Sequence, residues 1–169
     1  MDDLHQTIAG VTKAGNEIAM LLRASDFLLT KSCAELQVMA ARGNHDGSPE
    51  MRRRQIAEVS DQLAASIELG KVAARSAGSA QRVLDEALLR SIAGGKSGDL
   101  SVTALNTLEH TTGAFELVAA AVSANQRILS SSIEQLQTCT QGLVPTPEVV
   151  AIANDLLQRL ASAGRRWPV

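Results

Sequence analysis

Apolar residues recur every three or four positions along most of this chain, the spacing that places them on one face of an α-helix. The first of these stripes consists of Leu4, Ile8, Val11, Gly15, Ile18, Leu22, Ser25, Leu29, Ser32, Leu36 and Met39. A stripe of this kind is typical of a helix that packs along a neighbour. We predict one helix over about 3–42. The alternative is that Ser25 and Asp26 cap a new helix and divide the segment in two.

The second helix has a well-marked start. Ser48, Pro49 and Glu50 supply an N-cap, a proline suited to the first helical position and an acid in the first turn. We therefore predict a helix over 49–93. Its stripe consists of Ile56, Val59, Leu63, Ser66, Gly70, Ala73, Ala77, Ala80, Leu84 and Leu88.

Small residues line the middle of this second stripe, from Ser66 to Ala80. Small side chains let a neighbouring helix approach closely. Gly70 and Gly78 each cost up to about 1 kcal/mol relative to alanine in a helix interior. We expect close packing at both glycines to compensate for that cost.

Two further helical segments complete the chain. The stripe of the third consists of Val102, Leu105, Leu108, Thr112, Phe115, Val118, Val122, Asn125, Leu129, Ile133 and Leu136, which predicts a helix over 101–141. Thr146, Pro147 and Glu148 then repeat the start signal of the second helix. A shorter last helix is predicted over 147–163, with a stripe of Val149, Ile152, Leu156, Leu160 and Ala163.

These segments predict an all-α fold, an elongated antiparallel helical bundle of three long helices and a shorter C-terminal one. At about 1.5 Å of rise per residue, each long helix spans roughly 60 Å. The connecting loops are short, which favours antiparallel neighbours. We expect a single domain over 1–164, followed by a short basic tail over 165–169.

Composition supports the helical interpretation and excludes one class of partner. Aromatic residues make up 2% of the 169 residues, and the apolar content lies mainly in helix-forming or aliphatic types. The formal net charge is −2 and the calculated pI about 5.9. A protein that grips nucleic acid usually carries a basic surplus. We therefore predict no nucleic-acid partner.

Cys33 and Cys139 lie far apart within helical patterns, and we expect both to behave as free, small buried hydrophobes, with a disulfide left open as the alternative. No segment contains the roughly 20 apolar residues needed to span a bilayer. The opening residues are acidic, unlike those of a signal peptide. The expectation is a soluble, cytoplasmic protein, with export by a route that needs no cleavable signal left open.

The histidines give little support for a site. His5, His45 and His110 fall on separate elements without a second ligand at helical spacing, so no metal site is predicted. We also find no nucleophile elbow and no phosphate-binding loop, and we predict no catalytic residue and no cofactor. Histidine phosphotransfer domains present an exposed histidine on a helical bundle. His110 is an alternative phosphoacceptor of that kind, but the usual His-x-x-Lys-Gly spacing is absent, and Gly113 stands at +3.

Two features are candidate interaction sites. Arg52, Arg53 and Arg54 form the densest charge run, near the start of a helix, where cations oppose the macrodipole. They form either a solvated face with local ion pairs or a docking point for an acidic partner or a membrane surface. The acids that could offset them are Glu50, Glu58 and Asp61. Trp167, in the basic tail, either closes the end of the bundle or is displayed for a partner.

The sequence therefore predicts a non-enzymatic protein–protein interaction module: a scaffold, adaptor, assembly factor or secretion-associated helical protein. Its expected partner is another protein, with a second copy of the chain included. Two alternatives remain at this point. One is a signalling domain that relays phosphate through His110, and the other is an amphipathic bundle that binds a membrane or lipid surface.

Overall fold

The computed structural model describes residues 2–42, 48–93 and 102–141, together with Ala151, Asn154, Asp155 and Gln158. Within these ranges the chain forms three helices and no strand: α1 (Asp2–Arg42), α2 (Pro49–Ala93) and α3 (Val102–Gln141). The bounds agree with the predicted ones to within one residue. The all-α class is confirmed.

The predicted last helix, 147–163, falls mostly outside the described residues. The four residues described there, Ala151, Asn154, Asp155 and Gln158, are all helical. Their spacing of three, one and three residues is that of neighbours on one face of a helix. The remainder of that segment, and the tail over 165–169, lie outside the described part of the chain.

Ser48 caps α2 as its sequence predicts. Its Oγ accepts a hydrogen bond from the backbone N–H of Met51 at 3.2 Å. Its carbonyl oxygen accepts a hydrogen bond from the N–H of Arg52, also at 3.2 Å. Pro49, at the first helical position, has no N–H that would need a partner. The cap fixes where α2 begins, and with it the residues that α2 turns towards its neighbours.

Helix α1 runs without a break through Ser25, so the alternative of two shorter helices is wrong. The reason is that the Ser25 hydroxyl is engaged across the interface with α2 rather than with its own backbone. Its Oγ lies 2.7 Å from the Oγ of Ser66. Each hydroxyl is also within hydrogen-bond distance of the other residue's carbonyl oxygen, at 3.2 and 3.3 Å.

Helix α2 packs against both other helices and lies between them. Helices α1 and α2 are antiparallel, because Ser25 meets Ser66 while Ser32, further along α1, meets Gln62. In the described ranges no Cα of α1 comes within 8 Å of a Cα of α3. Helix α2 is therefore the element through which the other two are held together.

Contacts between α2 and α3 show the same antiparallel direction. Gln81 donates a hydrogen bond to Glu116 at 3.2 Å, whereas Gly70, earlier in α2, faces Val122, later in α3. Helices α1 and α3 consequently run parallel to each other, on two flanks of α2.

Among the residues that the structure describes, the core consists of two clusters. The first is rich in leucine and isoleucine and comprises Leu29, Cys33, Leu36, Ile56, Val59, Leu63, Ile67, Leu129 and Leu136. The second uses alanines on α2 and comprises Val11, Ile18, Ala73, Ala77, Ala80, Leu84, Phe115, Val118 and Val122. Ser66 and Gly70, both buried, occupy α2 between the two clusters. The predicted stripe of α2, and that of α3 from Thr112 to Leu136, are thus confirmed as the source of the core.

Four serines are buried in this core, and each has a hydrogen-bond partner. Ser60 and Ser132 donate to the carbonyl oxygens of Ile56 and Ile128, four residues earlier, at 2.9 and 3.0 Å. Such backbone bonding satisfies a hydroxyl without a second side chain. The other two are Ser66, which bonds with Ser25, and Ser32, which donates to the Gln62 Oε1 at 3.1 Å. Serine can therefore fill small core positions here without an unsatisfied polar group.

The predicted packing at the two α2 glycines is confirmed for Gly70 and wrong for Gly78. A Cβ placed on Gly70 would lie 3.3 Å from the Val122 Cγ1, whereas nothing lies within 4 Å of a Cβ placed on Gly78. At Gly70, a larger residue would have to displace Val122 of α3 by a few tenths of an ångström. At Gly78 the cost of glycine has no such compensation.

The α1 stripe is wrong at Ile8, whose side chain is 46% exposed. Its other described members are buried or half-buried. A stripe drawn with steps of four and three advances 3.5 residues per turn, while a straight helix has 3.6. The stripe therefore drifts around the helix by about 20° per heptad. Ile8 lies two heptads from the centre of α1, and the accumulated drift of about 40° turns it off the core.

Candidate interaction surface

The arginine run lies in the first turns of α2, immediately after the Ser48 cap. Arg53 and Arg54 are exposed and Arg52 is half-buried. Neither Arg53 nor Arg54 forms an ion pair with a residue that the structure describes. The local pairing with nearby acids that the sequence suggested is therefore not found for these two residues, and both guanidinium groups face solvent.

His110 lies on α3 with its side chain exposed. The two threonines after it, Thr111 and Thr112, are half-buried, and the space that a Cβ on Gly113 would occupy is open. Exposure meets one requirement of a phosphoacceptor. The lysine that follows the histidine in phosphotransfer domains has no counterpart on this helix, so the phosphoacceptor role stays a prediction.

Of the two cysteines and the tryptophan that the sequence singled out, the structure describes only the side chain of Cys33. Cys33 is a free thiol, 2% exposed, in the leucine-rich cluster. Burial raises the pKa of the Cys33 thiol to about 11. The prediction of a free, buried cysteine is confirmed there. The side chain of Cys139 and the whole of Trp167 lie outside what the structure describes.

A groove of about 480 Å³ runs between α1 and α2 over the alanine-rich cluster. Its walls include Gly10, Ala14 and Glu17 on α1 and Arg75 and Ser79 on α2. The volume is in the range of small-molecule sites. The lining offers one carboxylate and one guanidinium and no nucleophile paired with a base, so it carries no catalytic constellation.

Large apolar side chains are exposed on the side of α1 that faces away from the core. Met20 and Phe27 are 63% and 67% exposed, and Val38 is 47% exposed. Steps of seven and eleven residues return to nearly the same side of a helix. Exposed Ala24 and Ala34 lie beside them. We call this surface, from Lys13 to Val38, the outer face of α1.

Sequence reasoning missed this outer face because it followed one stripe per helix. A second signal was available in the spacing of seven from Met20 to Phe27 and from Phe27 to Ala34. Single exposed apolar residues are ordinary on a protein surface, but an aligned set is not. The described part of α1 thus has two apolar faces, and only one of them is covered.

Helix α3 has an outer face of different chemistry. Leu117 is 61% exposed, and the exposed residues near it include Ala120 and Ala124. The charged residues of α3 are Glu109, Glu116, Arg127 and Glu134, and all four are exposed. Their spacings of seven, eleven and seven place them along one line on the helix. We call the surface formed by this line and Leu117 the outer face of α3.

The described residues contain no group of three or more histidine, cysteine or acidic side chains arranged to hold a metal ion. Across the same residues, no helix has a segment long and apolar enough to cross a membrane. Comparison of the chain with family models, with curated proteins and with solved structures finds no match.

Proposed function

We propose that this chain is a non-enzymatic protein–protein interaction module, of the kind used as a scaffold, adaptor or assembly factor. The observation that carries the proposal is the outer face of α1, where Met20 and Phe27 leave most of their side-chain surface in water. Covering apolar surface stabilises a complex by about 25 cal/mol per Å². Aromatic residues and methionine are also enriched at interfaces.

The chain does not need this face for its own core. The buried clusters draw on the opposite side of α1, through Ile18, Leu29 and Leu36. Met20 and Phe27 therefore contribute little to folding, while they offer a ready contact surface. Exposing a large apolar side chain to water costs free energy. When the folded core does not use that side chain, its exposure favours a role in recognition.

The proposal includes the finer architecture predicted from the sequence, an elongated antiparallel bundle in which 147–163 forms a fourth helix. Helices α1 and α3 do not approach each other within 8 Å in the described ranges, which supports space for a further helix along them. Residues 147–163 follow α3 after a short connection and carry an apolar stripe of their own. A helix there would run antiparallel to α3.

Affinity capture with matched variants tests the proposed function. A tagged chain is expressed in the cells that encode it, and crosslinked proteins are identified by mass spectrometry. Phe27→Glu places a charge on the outer face of α1. Leu89→Glu does the same on α2, where Leu89 is 66% exposed and so matches the 67% of Phe27.

We expect the wild type and Leu89→Glu to recover the same crosslinked proteins, with a second copy of the chain counted among them. Phe27→Glu should lose them while its circular dichroism stays helical. If all three forms recover the same proteins, or none recovers any, the outer face of α1 has no role in binding and the proposal fails.

A further inference from the structure

We propose that the outer face of α1 binds the outer face of α3 in a second copy of this chain. The inference rests on the proposed function and names its partner. Both faces are exposed, and they differ in charge and in the size of their side chains. The difference in charge and the difference in side-chain size both favour pairing of the two faces.

The outer face of α1 is cationic. Lys13, Arg23 and Lys31 are exposed and lie among its apolar residues. Two acids of α1 border it on the side of α2: Glu17 lines the groove with α2, and Glu35 accepts a hydrogen bond from Gln62, so three cations stand against two acids. Lys31 is paired with Glu35 at 3.6 Å, which offsets part of its charge. The face therefore keeps a positive surplus.

The outer face of α3 is acidic. Three of the four charged residues along its line are glutamates, Glu109, Glu116 and Glu134, and Arg127 is the exception. Glu116 also accepts a hydrogen bond from Gln81 of α2. This face is therefore the complement of the outer face of α1 in sign.

Charge selects this pairing over the two symmetric ones. Two outer faces of α1 would bring lysines and arginines together, and two outer faces of α3 would bring glutamates together. Like charges in an interface oppose association, whereas complementary ones favour it and set the register. Of the three ways to pair these faces, only α1 with α3 joins opposite charges.

Side-chain size fits the same pairing. Phe27 and Met20 are large and project from α1, while Ala120 and Ala124 leave the α3 surface beside Leu117 shallow. Large side chains that pack over small ones let two helices approach closely. The resulting contact would cover the apolar surface that each face exposes.

The two faces cannot meet within one chain. The outer face of α1 lies on the side of that helix opposite its core stripe, and α3 of the same chain lies across α2, beyond 8 Å from α1. A second copy is needed to bring them together. Because the contact joins two different surfaces, it closes into a symmetric dimer when it forms twice about a two-fold axis and otherwise extends to larger assemblies.

Light scattering coupled to size exclusion gives the first test. The mass of one chain is 17.8 kDa, and we expect the wild type at high micromolar concentration to show at least twice that mass. Phe27→Glu should return the mass to that of one chain, and Leu89→Glu should not change it. Association should weaken in 1 M salt, where the Debye length falls to about 3 Å.

Charge reversal gives the decisive test. One variant carries Lys13→Glu, Arg23→Glu and Lys31→Glu, and a second carries Glu109→Lys, Glu116→Lys and Glu134→Lys. Each alone should run as a single chain, because its two faces now share a sign. An equimolar mixture should associate, because each face of one variant complements the other face of the second.

A matched control separates this contact from general attraction between oppositely charged proteins. Glu58→Lys, Asp61→Lys and Glu86→Lys, at exposed positions of α2, are added to the α1 variant and restore the net charge of the wild type. This chain has two acidic outer faces and a basic α2 surface, and it should still run as a single chain. Association in this control to the same extent would overturn the proposed contact.

Other outcomes distinguish this inference from the proposed function. A wild type that stays at 17.8 kDa, with a different protein captured in a Phe27-dependent way, would overturn the second-copy contact and leave the interaction role standing. A wild type that stays at that mass and binds anionic lipid vesicles through Phe27 would overturn both. A wild type that neither captures a protein nor self-associates would also overturn both.

Discussion

Gly70 of α2 lies close against Val122 of α3, since a Cβ on Gly70 would lie 3.3 Å from the Val122 Cγ1. Gly78, two turns further along α2, has nothing within 4 Å of the same position. The two glycines share a helix and a residue type but differ in their surroundings. The effect of the same substitution on stability can therefore be compared at a glycine with a close neighbour and at one without.

We expect Gly78→Ala to raise the free energy of unfolding by about 1 kcal/mol, because alanine restricts the unfolded chain and meets no neighbour in the folded one. Gly70→Ala should gain less or lose stability, since its methyl group would press on Val122. Urea denaturation of both variants measures the difference. Equal increases in the free energy of unfolding at the two positions would show that Val122 does not restrict a side chain at position 70.

The hydroxyl pair of Ser25 and Ser66 predicts a non-additive response. Ser66→Ala or Ser25→Ala alone should lower the free energy of unfolding by about 1 to 2 kcal/mol, because the remaining hydroxyl loses its closest partner in a buried site. The double variant should cost less than the sum of the two. A double-mutant cycle from chemical denaturation measures this coupling, and strict additivity would contradict it.

Cys33 predicts a loss of stability at high pH. Below pH 9.0 the thiol is protonated in both the folded and the unfolded chain, so it gives no pH dependence there. Burial raises the folded pKa from 9.0 to about 11, so between these values the unfolded chain releases the proton and the folded chain keeps it. The free energy of unfolding should therefore fall as pH rises, by roughly 2 kcal/mol at most.

The control for this pH effect is Cys33→Ala, which keeps Cys139 and every other titrating group. Its free energy of unfolding, taken relative to pH 8, should fall less steeply between pH 9 and 11 than that of the wild type. Parallel curves for the two proteins would show that Cys33 does not titrate differently on folding.

Leu36 and Phe27 should respond in opposite ways to truncation, although both are large and apolar and lie on α1. Leu36 is 0% exposed and Phe27 is 67% exposed. We expect Leu36→Ala to lower the free energy of unfolding by about 2 to 5 kcal/mol, because it leaves a cavity in the core. Phe27→Ala should change it by less than about 0.5 kcal/mol. Thermal or urea unfolding checks both values.

The helix bounds were predictable from the sequence because their signals are local. Ser48 and Pro49 set the start of α2 through one hydroxyl and one missing N–H, and neither depends on distant residues. The core faces of α2 and α3 followed from spacing alone. A repeat of three and four residues identifies a face whenever that face is buried along its whole length.

What the sequence could not predict depends on the neighbouring helices. Gly70 and Gly78 look alike in the sequence, and only the path of α3 separates them. Ser25 resembles an N-cap until Ser66 is placed beside it. The exposure of Phe27 follows from which side of α1 meets α2, and the pattern of a single helix does not contain that information.

The position of α2 between the other helices has a consequence for how the chain folds. Contacts between helices join α1 to α2 and α2 to α3, which are neighbours in sequence, and in the described ranges α1 and α3 have none at Cα distance. Each hairpin can therefore form without waiting for a distant segment. Low contact order of this kind favours rapid folding, in the microsecond to millisecond range. Helix α2 belongs to both hairpins, so a substitution that weakens this helix should slow the formation of both.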